Sequence, residues 1–196
     1  INILISGYPK YKNTWTHLFC MVYTTTLGAV EIRAVEQNVI DKVRRRTAEV
    51  LKVDVGQIAV RTLLPKDLGL PEDVWQFNLT NAGNYNVLVD KTLENNKVIY
   101  IYGFQIPSKD LDPDISVLKI YKGNELLDII DLQKVYDGEK YPVIVFKAPI
   151  EINPTEQFRV ELYLKSGVTT PVTKRIIILG FVGERLGQTI NSPLQQ

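Results

Sequence analysis

The sequence predicts a mainly β chain: an eight-stranded antiparallel β-sandwich preceded by an N-terminal arm with one amphipathic α-helix. Three observations carry this expectation. From Val74 onward, short apolar runs alternate with turn residues. Only Ala34–Leu51 keeps a helical period. The chain has 196 residues, 45% apolar and 23% charged, enough for one core of ordinary size with an arm. The arm is read as residues 1–73 and the sandwich as residues 74–196.

The first residues carry a Gly7-Tyr8-Pro9 turn signal and the aromatics Tyr8, Tyr11, Trp15, Phe19 and Tyr23 in a polar setting. They show no core pattern of their own and are expected to be extended or irregular. Ile1 is not an initiator methionine, so a longer or processed product is expected. The apolar run Leu18–Val30 spans about 13 residues against the ~20 needed to cross a bilayer. A buried segment is expected there, with a membrane-surface contact as the alternative. A short strand is read around Gly28–Arg33.

In the helix, Val35, Val39, Ile40, Val43, Val50 and Leu51 fall on one side. Glu36, Asp41, Lys42, Arg44, Arg45 and Glu49 fill the other. Acidic Glu36 near the start and basic residues toward the end suit the helix dipole. Asp54 and Gly56 stop the helix. Valine is a modest helix former, so packing must supply much of the stability. Gln57–Leu64 reads as a strand ended by Pro65, and Lys66–Asp73 as a connector.

Eight strands are then expected, over residues 74–80, 85–92, 97–106, 115–122, 126–132, 142–148, 157–165 and 174–184. The clearest alternation sets Phe158, Val160, Leu162 and Leu164 inward and Arg159, Glu161, Tyr163 and Lys165 outward. The continuous run Ile176–Leu179 suits a strand covered on both faces. Asn95-Asn96, Lys122-Gly123-Asn124, Asn153-Pro154 and Ser166-Gly167 supply turn chemistry between the runs. Links such as Pro107–Asp114 and Gln133–Tyr141 exceed tight hairpins and suit strands that cross between two sheets. A single jelly roll is therefore preferred. Immunoglobulin-like sandwiches share the strand signal.

Composition excludes most site chemistry. One Cys rules out an internal disulfide framework and multi-thiolate metal sites. One His, His17, rules out sites needing two imidazoles and a metal-binding jelly roll of the cupin kind. Cys20 follows His17 by three residues, but nothing orients the two as an acid–base pair. Asp110, Asp112 and Asp114 cluster around Pro113 without a calcium-loop pattern and read as a solvated turn. Gly180 and Gly183 read as a bend, a bulge or a close packing contact. No catalytic residue, metal or cofactor is expected, no small-molecule substrate, and no enzyme. Lys42, Arg44, Arg45, Arg46 and Lys52 form the basic cluster. They are candidate contacts to the phosphates of nucleic acid or lipid headgroups, or else a solvated helix face. So few charges would give weak, non-specific attachment.

Charge divides the chain. Residues 1–64 carry +4 and residues 65–196 carry −3, for a net +1. A basic helical arm before a slightly acidic sandwich resembles the single jelly-roll capsid proteins of tailless icosahedral viruses of archaeal and thermophilic bacterial hosts. The resemblance rests on the strand series 97–106, 115–121, 142–147, 158–165 and 174–183 and on the arm before it. It implies self-assembly into a shell, copies of the chain and other capsid proteins as partners, and location in the virion. Tyr8, Tyr11, Trp15, Phe19 and Tyr23 become candidate contacts between subunits. The second reading is a carbohydrate-binding or adhesin-like sandwich, extracellular or at the cell surface. It is motivated by Tyr100 and Tyr102 on one strand face.

Overall fold

The computed structural model describes residues 22–24, 29–71, 73–107, 114–132 and 143–187, with side chains from Ile32 onward. It is mainly β, with one α-helix and antiparallel sheets. The elements in chain order are β1 (Val22–Thr24), α1 (Ala29–Leu51), β2 (Ile58–Thr62), β3 (Gln76–Leu79), β4 (Asn84–Thr92), β5 (Lys97–Gln105), β6 (Ile115–Lys122), β7 (Glu125–Asp131), β8 (Val143–Ile152), β9 (Gln157–Leu164), β10 (Val172–Arg175) and β11 (Ile177–Arg185). One sheet has the order β1-β8-β5-β11-β2 and a second β4-β9-β6-β7, while β10 pairs with β3.

The expected strands from residue 85 to 165 appear within a few residues of their predicted limits. The count of eight is exceeded. The predicted run 174–184 divides at Ile176, because β10 runs against β3 while β11 runs against β5 and β2. Two strands also lie before Val74. One of them, β2, pairs with β11 from Ile58 to Thr62, so the ladder crosses the expected 73/74 boundary.

The helix begins earlier than expected. Gly28–Arg33, read as a strand from its Val and Ile, supplies the first turn of α1 from Ala29. Ile32 extends the apolar stripe of Val35, Val39 and Val43 at helical spacing, and packing of that stripe overrides β-propensity. The last turn holds no basic residue, contrary to the expected dipole arrangement. The cations sit one turn earlier, at 42–46. Lys52 takes a left-handed backbone, φ 53°, as the chain leaves the helix. Asp54 then accepts the Gly56 amide at 2.9 Å and caps a short 3-10 turn.

The main core lies between the inner faces of the two larger sheets. Ile99, Ile101, Phe104, Ile144 and Phe146 pack with Leu118, Ile120, Phe158, Val160 and Leu162. The alternation predicted for β9 is the observed burial: Phe158, Val160, Leu162 and Leu164 are all within 1% exposure. Burial of this apolar surface is the main stabilising term. A second cluster forms on the outer face of the β5–β11–β2 region. There α1 lays Val35, Val39, Val43 and Val50 over Val98, Tyr100, Tyr102, Leu179 and Phe181. This explains why β5 is buried on both faces and reads as a continuous apolar run.

Candidate functional site: the clamped helix and its basic outer face

Packing of α1 on the sheet requires two close approaches. A Cβ on Gly183 would overlap Thr47 Oγ1 and lie 2.8 Å from Val43. Gly180 stands where the β11–β5 register shifts, and a Cβ there would lie 2.6 Å from the Tyr100 carbonyl. The two glycines thus serve a bulge and a helix contact, both within the range of roles expected from sequence.

Polar clamps hold the helix at its sides. Tyr102 donates its hydroxyl to Glu36 at 2.8 Å and stacks on Phe181 with ring centroids 5.8 Å apart. The Tyr100 hydroxyl donates to Glu151, which also receives Arg46 Nε at 2.8 Å. Burial and the neighbouring carboxylates push both tyrosine hydroxyls well above their ordinary value of 10.0. The Tyr100 hydroxyl and the Arg46 guanidinium help hold the Glu151 carboxylate below its ordinary value, against the opposing effect of burial. Tyr100 and Tyr102 are 7% and 4% exposed. They lie beneath α1 and present no open stacking face to a sugar.

This geometry divides the five basic residues singled out from sequence. Lys42, Arg44 and Arg45 are exposed on the outward face of α1, and Lys52 is exposed just beyond its end. None of the four meets a carboxylate among the described residues. Arg46 is different: it bridges Glu151 and, at 3.3 Å, Glu49, and it fastens the helix to β8. A groove of about 700 Å³ runs beside the helix, lined by Asn38, Lys42, Arg45, Arg46 and Glu49 with Tyr100 alongside. Of the expected subunit-contact aromatics, Tyr8, Tyr11, Trp15 and Phe19 lie outside the described residues. Tyr23 lies in β1, opposite Val145, and its side chain is not described. His17, Cys20, Asp110 and Asp112 also lie outside. The Asp114 carboxylate is 3.7 Å from buried Lys174.

A buried charge cluster went unforeseen. Asp67, fully buried, accepts both terminal nitrogens of Arg61 at 2.7 and 2.8 Å. It also accepts the Leu64 amide at 2.9 Å. Glu184 meets Arg61 Nε at 2.9 Å, and Lys97 approaches Asp67 at 3.7 Å. Its members are spread from Arg61 to Glu184, so only the β2–β11–β5 ladder brings them together. Arg61 and its amide contact hold the Asp67 carboxyl below its ordinary 3.8 despite burial. The cluster fastens the Pro65–Leu68 turn to the sheet and presents no open position to a substrate.

The outer face of the β4–β9–β6–β7 sheet carries half-buried Tyr85, Tyr121 and Tyr163. Lys119 covers the Tyr85 ring at 3.8 Å, and Arg159 covers that of Tyr121 at 4.3 Å. Among the described residues, no group of three or more His, Cys, Asp or Glu side chains is placed to hold a metal ion. No helix among them is long and apolar enough to cross a membrane. Neither a scan against protein-family models nor a search of curated proteins gives a match.

Proposed function

We propose that the chain is a shell subunit, a structural protein that assembles with copies of itself and with other capsid proteins into a viral capsid. Catalysis, cofactor and small-molecule substrate have no part in this role. The observation that carries the reading is strand order. If β2 with β3 counts as one interrupted strand, and β10 with β11 as its interrupted partner, the chain alternates between two four-stranded sheets. Only β6 and β7 are consecutive within one sheet. That order supports the jelly-roll reading, with β1 added beside β8. The residues before α1 would then reach neighbouring subunits, a membrane or a genome, and the protein would reside in the virion.

The carbohydrate-binding reading has lost its motivating tyrosines to the helix interface, and cations cover two of the three rings on the opposite sheet. Electron microscopy of the purified full chain, beside a glycan array, separates the two. Closed particles or regular sheets of subunits are the expected result. A monodisperse monomer that binds glycans would overturn the proposal.

A further inference from the structure

We propose that subunits associate by docking the free edge of β7 onto the outward face of α1 of a second copy. This inference rests on the self-assembly reading and names the surfaces that carry it.

β7 ends its sheet, so one side of its backbone lacks a strand partner among the described residues. Such an edge is a template for association. It also exposes apolar surface, with Ile129 at 53% and Leu126 at 42%. The strand is acidic: Glu125, Asp128 and Asp131 recur at every third position. Glu125 is exposed at the start of the strand, where an incoming cation can reach it.

The complement lies on the same chain, on the other sheet. Lys42, Arg44 and Arg45 point outward from α1, which packs on β5, β11 and β2 and not on β7. Arginine suits the role, because its fork of donors can bind a carboxylate and the open carbonyls of an edge strand together. The helix is long enough to cover the strand: α1 is about 34 Å long at 1.5 Å per residue and β7 about 24 Å at 3.4 Å per residue. Pairing β7 with a second β7 would oppose acid to acid, which disfavours that symmetric alternative. A helix-to-edge contact is heterologous, so it propagates from copy to copy and closes only when rotation allows, as a shell requires.

Charge reversal in the full chain tests the proposal. One variant carries Arg44→Glu with Arg45→Glu, the second Glu125→Lys with Asp131→Lys, and a third all four changes. The reversed residues are exposed, and circular dichroism verifies the fold. Light scattering over a concentration series reads assembly. Each double variant is expected to need at least about tenfold more protein for half-assembly, and the fourfold variant to recover toward wild type. Unchanged assembly in the double variants, or no recovery in the fourfold one, overturns the proposal while the assembly reading stands. So does a helix variant that loses only its retention by duplex DNA or phosphatidylserine vesicles, since α1 would then face a polyanion. A wild-type chain that never associates overturns the assembly reading itself.

Discussion

At the scale of single residues, the buried charges set the sharpest expectations. Asp67→Asn removes the anion that Arg61 and Lys97 share, leaving half-buried Arg61 with Glu184 and buried Lys97 with Glu94. The expected loss is about 3–5 kcal/mol, read by urea unfolding. The same carboxylate sets a pH dependence. Its folded pKa is depressed below 3.8, so its stabilisation is fully present above that value and is lost as pH falls through the lower folded value. Glu151 and Glu156, depressed from 4.5, act in the same direction. Stability should therefore hold from pH 7 to about 5 and decline below about pH 4. The decline should be shallower in Asp67→Asn, and an equal slope in both proteins would contradict the assignment. Gly183→Ala brings a methyl group into Thr47 and should cost about 1–3 kcal/mol, with partial recovery when Thr47→Ala is added. None of these contacts was legible in the sequence: Lys97, Glu184 and Thr47 are far from their partners in the chain, and Arg61 reaches Asp67, six residues on, only through the Pro65–Leu68 turn. Gly183 was singled out there, but its partner Thr47 was not.

At the scale of elements, α1 is the part that sequence described best and still imperfectly. Its apolar stripe at 35, 39, 43 and 50 is the stripe that packs. Its start was misread because the β-branched residues at 30 and 32 mimic a strand. Its cations were read as one cluster, although Arg46 belongs to the clamp. Strand alternation was legible wherever one face is solvated, as in β9. The break at Ile176 was not, because a change of ladder partner leaves no local mark. If the helix is held by packing more than by its clamps, Val43→Ala should cost roughly 2 kcal/mol. Tyr102→Phe, which removes only the hydroxyl that Glu36 accepts, should cost about 1 kcal/mol. Thermal unfolding of the two variants checks the order, and a larger loss from Tyr102→Phe would reverse it.

At the scale of the whole molecule, the two larger sheets are finished differently. One is covered by α1. The other has no helix on its outer face among the described residues and ends in an acidic, partly apolar edge. The charge division seen in the sequence is not a division between helix and strands: α1 carries five basic and four acidic residues, and the acid is concentrated on β7, which has three acidic residues and no basic one. The segment before Val22 carries four of the five aromatics assigned to subunit contacts. Its removal should weaken assembly without lowering the unfolding temperature of what remains. Unchanged assembly after deletion of residues 1–21 would show those aromatics to be dispensable. The claim on which the functional account depends is association itself. Sedimentation velocity of the intact chain over a hundredfold range of concentration tests it most directly. Discrete large species that grow at the expense of a 22.3 kDa monomer as concentration rises are expected. A single monomer boundary at every concentration would contradict that claim.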